Sequence, residues 1–408
     1  MKTSSGIDRT ALRRVRVRLS ERRRGYEIKI GAGALDLLGM EARRVLSQHA
    51  RRAALISNQL VSHLYGERAE RSLQASGLEV RPFLIGDGER HKTLRTLERV
   101  LDFFHSAGLD RSDAVVALGG GVVGDLAGFA SAIHLRGVSF IQVPTTLLAQ
   151  IDASVGGKTA VNTRWSKNSV GAFHQPAAVL IDTATLGSLP RRELTAGWCE
   201  AVKHGAVGDR QLFERTHRFL SRRAQGAEDD ERRAGTGLMA GGAELDRLIA
   251  AHCAFKASIV AGDETESLAR SDSRSRRILN FGHTTAHALE TVTRYRRFRH
   301  GEAVGYGMLV AGEISKGLGL LDSSELEYLR DAVRLTGSLP RTLDLDLDAV
   351  TAALAHDKKS VGGEVRWVLL EALGQARLVG GSEIPPSLLR NALRAVLHAE
   401  SPHGKFLK

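Results

Sequence analysis

Between residues 26 and 181, short apolar runs alternate with stretches of helical period, and this alternation constrains the fold more than any other feature. Strand candidates lie at 26–30, where apolar and polar residues alternate, and at 53–57, 78–85, 114–118, 139–143 and 178–181. Between them, segments such as 93–107 carry apolar residues at three- and four-residue intervals, the spacing of one helix face. Strands joined by helices predict a mostly parallel sheet covered on both faces. After Leu189-Pro190 the texture becomes helical, with 365–370 as the exception. The chain of 408 residues is long enough for two cores, and it divides into an α/β domain over 1–188 and a mostly α-helical domain over 189–408. Two stretches, 225–242 and 268–275, are rich in Gly, Ala, Ser and charge and predict exposed loops.

The strand at 114–118 runs into GGGVVGD and then an apolar helix. Gly119, Gly121 and Gly124 fit GxGxxG between a strand and a helix, where a helix N-terminus offers free N–H groups to a phosphate. No acidic residue follows about 20 positions later to hold a ribose, so a pyrophosphate site is expected, but not of the standard dinucleotide kind. The DGERHK run, 87–92, follows another strand, with Glu89 suited to ribose hydroxyls and Lys92 to a phosphate. After the strand ending at Val143 comes PTTLLAQIDASVGGK, in which Asp152 is isolated among apolar residues. Lys158, Lys167 and Asn168 add cationic and amide donors suited to a phosphorylated or carboxylated ligand.

His283 and His287 lie one turn apart on one face of an expected helix, His300 follows thirteen residues after His287, and Glu200 lies far upstream. An open zinc site takes three nitrogen or oxygen ligands. Spacing alone nominates both His283 and His287, and an isolated HxxxH is more often structural than metal-binding. Lys256, Asp263, Glu266, Arg276 and Asn280 lie nearby in sequence. A metal, cations and a carboxylate together point to an enzyme acting on an anionic, hydroxyl-rich molecule.

Composition removes several classes. No apolar run reaches the roughly 18–20 residues that span a bilayer, and residues 1–24 lack the apolar core of a signal peptide. No membrane partner is expected. The two cysteines, Cys199 and Cys253, are too few for a disulfide framework, and a cytoplasmic location is expected. The formal charge is +12, but arginines are scattered among acidic residues and aromatics make up only 5%, so no nucleic-acid partner is expected.

GGGVVGDLAGF, RGVSFIQVPTTLLAQIDASVGGKTAVN, KNSVGAFHQP, LNFGHTTAHALE, HGEAVGYGM and DKK with a following VLL resemble, in order from about Tyr26 to Leu378, the 3-dehydroquinate synthase family of sugar phosphate cyclases. The resemblance implies a Rossmann-like α/β domain that binds NAD, a helical metal-binding domain, an active site in the cleft between them, and a homodimer. It implies NAD contacts at Asp87, Gly88, Glu89, Lys92, Gly120, Gly121, Val122, Asp125, Thr145, Thr146, Lys158, Lys167, Thr185, Leu186 and Ser188. It implies a zinc ion, with cobalt as the alternative, on Glu200, His283 and His300. His287 then becomes an acid/base, with Glu266, Lys203 and Asp152 as further catalytic groups. Substrate contacts fall on Arg136, Asp152, Lys158, Asn168, Lys203, Lys256, Arg276, Asn280 and Lys358, with Lys359 as the alternative to Lys358.

The implied reaction converts 3-deoxy-arabino-heptulosonate 7-phosphate to 3-dehydroquinate and phosphate. It proceeds by transient oxidation, β-elimination, re-reduction, ring opening and aldol closure. The segment between Glu266 and Asn280 is longer than the family pattern, so Arg270 and Arg276 compete for the substrate carboxylate; the intact register beside Asn280 favours Arg276. Asn58 stands where some relatives carry an acidic NAD contact. Sister cyclases that make 2-epi-5-epi-valiolone or 2-deoxy-scyllo-inosose, and a metal-dependent polyol dehydrogenase, are the rival readings.

Overall fold

The computed structural model describes residues 25–230, 242–267, 270, 272, 275–357 and 366–399. Six parallel strands form the main sheet: β1 (Glu27–Ile30), β2 (Arg52–Asn58), β3 (Glu79–Ile85), β4 (Ala114–Gly119), β5 (Ser139–Pro144) and β8 (Ala178–Ile181), in the order β1-β8-β5-β4-β2-β3. The central strands β2, β4 and β5 are buried along nearly their whole length, which is why they read as continuous apolar runs. Edge strand β3 is mostly exposed.

Period-two alternation sends successive side chains to opposite faces. Leu55, Val116, Leu118 and Ile141 pack with Leu35, Leu38 and Leu73 on one face, while Ile56, Val115, Ala117 and Phe140 pack with Phe104, Leu126 and Ala130 on the other. The covering helices are α1 (Leu38–Val45), the short α2 (Gln59–Val61), α3 (Glu67–Ala75), α4 (Leu94–Ser106) and α5 (Gly121–Ile133). α4 shows how local sequence sets bounds: the Thr93 hydroxyl caps it by accepting from Thr96 N–H at 3.2 Å, and Leu97, Val100 and Phe104 form its buried face.

The remainder is mainly helical: α6 (Arg191–Gly208), α7 (Arg210–Asp230), α8 (Ala243–Gly262), α9 (His283–Val292), α10 (His300–Gly317), α11 (Ser323–Leu335), α12 (Leu347–Asp357) and α13 (Pro386–Leu397). Its core does not stop at the sheet. Val179 and Ile181 of β8, with Leu147, Ile151 and Val155, pack into the same cluster as Trp198, Phe213 and Phe281.

Two antiparallel hairpins escaped the sequence reading. β6 (Lys158–Val161) pairs with β7 (Val170–Phe173), and β10 (Gln375–Gly380) pairs with β9 (Arg366–Ala372), the strand expected near 365–370. The expected loop at 225–242 begins as helix, because α7 continues to Asp230 through Arg, Ala, Gln and Glu, all good helix formers. Within the expected loop at 268–275, Ser275 is fully buried and caps the next turn by accepting from Arg277 N–H.

Candidate active site

β2 leads to β3 on one side and β4 leads to β5 on the other, so the connections part between β2 and β4. In a parallel sheet that crevice, at the strands' C-terminal ends, is where ligands bind. Gly120 caps α5 there, and the first turn of the helix carries Gly121 and Val122. Gly124 has a packing reason to lack a side chain: a Cβ would lie 2.6 Å from Gln142 Oε1 on β5. Thr145 N–H bonds to the Gly119 carbonyl at 3.0 Å, and Thr146 Oγ1 accepts from Ala149 N–H at 3.2 Å.

The other expected nucleotide contacts gather along the same edge. Asn58 accepts from Val61 N–H at 2.8 Å and donates to Asp87 Oδ1 at 3.0 Å. Gly88 has φ +86, a left-handed conformation that suits glycine. Glu89 accepts from Asn162 Nδ2 at 2.7 Å. Lys92, which the sequence suggested for a phosphate, is buried and bridges Asp125 Oδ2 and Asn168 Oδ1, both at 2.5 Å. Burial pushes the Asp125 carboxyl up, against the pull of Lys92. Thr185 is tied to the Asp182 carbonyl at 2.7 Å, Ser188 Oγ lies 2.5 Å from Tyr65 Oη, and the Leu186 side chain is core.

The helical half supplies a denser polar cluster. Glu200, His283 and His300 bring one potential ligand atom each to within 4.8 Å of one another. Glu200 is fully buried, and its Oε1 accepts no hydrogen bond although His300 Nε2 lies 3.7 Å away. A buried carboxylate oxygen with spare acceptor capacity is costly unless a cation completes it. His283 Nδ1 lies 3.2 Å from the Phe281 carbonyl and His300 Nδ1 lies 3.3 Å from Glu290, which leaves Nε2 of both rings. Two imidazole nitrogens and a carboxylate fit a zinc-type ion with an open position. The His287 ring stands 5.8 Å from that of His283 and 6.5 Å from that of His300, beside the cluster rather than in it. The HxxxH spacing is therefore split: one histidine joins the triad and the other flanks it.

Lys203, one turn after Glu200 on α6, joins this cluster to a second. Its Nζ lies 2.5 Å from Glu200 Oε2 and 3.4 Å from Asp152 Oδ2. Lys256 of α8 also pairs with Asp152 and donates to its backbone carbonyl at 2.5 Å. Burial works to raise the Asp152 carboxyl, but Lys203 and Lys256 hold it well below the usual range. Burial alone would depress Lys203, yet Asp152 and Glu200 hold it up. Lys256 is pushed down by burial, against the pull of Asp152.

Glu266 pairs with Lys158 and accepts from Asn280 Nδ2 at 3.2 Å. Its carboxyl stays low despite burial, chiefly through Lys158. Glu266 and Asn168 both hold left-handed backbone, at φ +55 and +51, which is uncommon outside glycine. Arg276 is 1% exposed and donates to the carbonyls of Glu264 at 2.7 Å and Gly156 at 2.9 Å. Gly156, at φ +96, makes that approach possible: a Cβ would lie 2.7 Å from the guanidinium. Arg270 points elsewhere, pairing with Asp272 at 3.0 Å.

Three expected site residues stand apart from these clusters or lie outside the described residues. Arg136 does not reach the others within this chain. It precedes β5 on the side where Ala114 pairs with Ser139, whereas the glycine loop lies at the other end, where Gly119 pairs with Pro144, roughly 17 Å along the strands. Lys167 Nζ pairs with Glu290 of α9 at 3.0 Å. Lys358 and Lys359 fall outside the described residues.

Sequence reasoning missed Glu290, His204 and Asn162. Glu290 lies seven residues after His283, two turns along one helix face, and that spacing was the available signal. His204 is buried 3.9 Å from Asp152 Oδ1 with neither ring nitrogen hydrogen-bonded, and burial pushes its pKa down against the pull of Asp152.

The family profile described as 3-dehydroquinate synthase N-terminal matches residues 82–196, and the one described as 3-dehydroquinate synthase C-terminal matches 197–360. The chain belongs to the 3-dehydroquinate synthase family. A 3-dehydroquinate synthase from Gloeobacter violaceus is 42% identical over 370 residues, covering 90% of this chain and 95% of that protein. Among solved structures, 2-epi-5-epi-valiolone synthase from Streptomyces hygroscopicus subsp. jinggangensis, with NAD+ and Zn2+ bound, superposes with TM-score 0.79 at 27% identity, covering 93% of this chain and 99% of that one. A 2-deoxy-scyllo-inosose synthase complexed with carbaglucose-6-phosphate, NAD+ and Co2+ gives 0.75 at 25% identity, covering 91% and 96%. This 3-dehydroquinate synthase family member thus shares the two-part fold of the sister cyclases, while its sequence is nearer the dehydroquinate-forming relative. Among the described residues no helix is long and apolar enough to cross a membrane.

Proposed function

We propose that this chain is an NAD- and metal-dependent carbon–oxygen lyase that converts 3-deoxy-arabino-heptulosonate 7-phosphate to 3-dehydroquinate and phosphate. The observation that carries the reading is Lys203, which contacts both the Glu200 carboxylate of the metal triad and Asp152 of the cationic cluster. Metal ligands and anion-binding groups therefore meet in one place.

Glu200, His283 and His300 hold the metal, and the glycine loop with 87–92, Asp125, Thr145 and Thr146 receives the nucleotide. When bound, NAD supplies reversible hydride acceptance, and the divalent ion supplies Lewis-acid polarisation of a hydroxyl. Lys203 and Lys256, both paired with Asp152, hold the substrate's anionic and hydroxyl groups. Arg276, already fixed by two backbone carbonyls, turns its remaining N–H groups with Asn280 toward the substrate carboxylate. Lys158 and Asn168 are placed for the phosphate. His287 and Glu266 are the groups that move protons, with the Glu266 carboxylate kept ionised by Lys158 and Asn280 until substrate displaces them. We divide the chain into domains at 1–188 and 189–408, and expect a homodimer in the cytoplasm.

Purified protein supplied with NAD and zinc is expected to release phosphate from the heptulosonate phosphate and form dehydroquinate without accumulating NADH. Turnover only of sedoheptulose 7-phosphate or glucose 6-phosphate would place it with the sister cyclases. Net NADH formation from a polyol would make it a dehydrogenase.

A further inference from the structure

We propose that Glu290 is a positioning residue for the metal centre: it fixes the tautomer and ring orientation of His300 through Nδ1 and is itself held by Lys167 from the other half of the molecule. The proposal rests on the reading that Glu200, His283 and His300 bind the metal.

Glu290 is 2% exposed and sits on the same face of α9 as His283. Its Oε1 lies 3.3 Å from His300 Nδ1 and 3.0 Å from Lys167 Nζ, while Oε2 accepts no hydrogen bond. Burying a carboxylate is costly unless it is paired, so a glutamate here needs a reason beyond helix packing. The reason lies in the imidazole. A ligating ring binds metal through one nitrogen, and the partner of the other nitrogen decides which one and at what angle. An acceptor at Nδ1 keeps the proton there and leaves Nε2, the atom that faces Glu200 Oε1 at 3.7 Å.

The two triad histidines are held differently. His283 is oriented by a neutral acceptor two residues away in its own chain, the Phe281 carbonyl. His300 begins α10, and the acceptor at its Nδ1 is a carboxylate carried by α9. Glu290 is in turn gripped by Lys167, from the connection between β6 and β7, whose ammonium also lies 4.6 Å from the Tyr295 ring centroid. The rotamer of one metal ligand is thereby tied to a hairpin of the α/β half.

The test is zinc affinity of the full chain, measured by chelator competition, with thermal unfolding of the metal-free protein as the fold control. Glu290→Leu removes the acceptor and is expected to weaken zinc by about 10–100-fold, with the metal-free protein still cooperatively folded. Glu290→Gln restores an acceptor of the same reach and is expected to recover most of that loss. It should also return the visible bands of the Co(II)-loaded protein to the wild-type pattern, whereas Glu290→Leu shifts them. Should Glu290→Leu not fold, Glu290→Ser, polar but too short to reach Nδ1, carries the same expectation. Zinc binding by Glu290→Leu or Glu290→Ser within two-fold of wild type overturns the proposal, as does equal weakening by Glu290→Gln. Wild-type protein that takes up no stoichiometric zinc would instead remove the metal reading beneath it.

Discussion

The C-terminal edge of the sheet and the polar interior of the helical half are both lined with charged and amide side chains, but they are held in different ways. Along the sheet edge the groups satisfy one another: Asn58 caps a helix and meets Asp87, Lys92 joins Asp125 to Asn168, and Thr185 bonds to Asp182. In the helical half more buried capacity is left open: Glu200 Oε1, Glu290 Oε2 and both nitrogens of His204 have no hydrogen-bond partner, against Gln150 Oε1 and Ser154 Oγ in the connection after β5. Buried polar atoms are normally paired, so a concentration of exceptions marks where something else is meant to bind. In the proposed function the edge receives the nucleotide, and the interior holds the charge used in the chemistry.

The largest effect that can break this contrast is expected at the triad. His300→Ala should abolish metal retention through gel filtration, read by metal analysis. His287→Ala should keep the metal and lower turnover by about 10²-fold or more. Equal metal loss in both variants would put His287 among the ligands. Next is Asp152→Asn, which leaves Lys203 and Lys256 buried without their shared counter-charge. A loss of about 3–5 kcal/mol is expected in urea unfolding of the metal-free protein; a loss below about 1 kcal/mol would mean the interior charges do not depend on one another.

Acid should then separate the regions. Burial works to raise the Glu290 carboxyl, but His300 and Lys167 hold it at about 2, below its ordinary 4.5. A depressed carboxyl adds stability that is complete above the ordinary value and disappears as pH falls toward the folded one. The metal-free protein should therefore lose thermal stability between about pH 4.5 and 2, and Glu290→Gln should flatten that slope. An unchanged slope would assign the acid sensitivity to other carboxylates.

Smaller effects sharpen the sheet side. Gly124→Ala sets a methyl against Gln142 and should cost about 1–3 kcal/mol, with weaker NAD binding by calorimetry as α5 shifts. Arg270→Ala, at a partly exposed residue paired with Asp272, should change stability by no more than about 0.5 kcal/mol and leave turnover near wild type. A large loss of turnover there would transfer the carboxylate contact from Arg276.

Much of the fold was legible because its signals are local. The buried runs of β2, β4 and β5, the Thr93 cap of α4 and the strand–glycine–helix at 114–133 each lie within a few residues. The β6–β7 hairpin was missed because its strands are four residues each, with alternating burial that carries little apolar signal. In the site, the triad emerged only with the family resemblance, since spacing alone favoured His283 with His287. Arg136 lies at the opposite end of β5 from the glycine loop within this chain, a placement its motif alone does not carry.

By itself the sequence determined a parallel sheet, the glycine turn after β4 and a helical second half, because period, capping and turn chemistry act between near neighbours in the chain. Only the tertiary structure decided that Lys203 also reaches Asp152, that Lys167 crosses to Glu290, and that Arg276 rather than Arg270 is enclosed. Those pairings join residues up to 123 positions apart. They arise from how separate elements pack together, and a contact that depends on packing leaves no periodic trace in the chain that makes it.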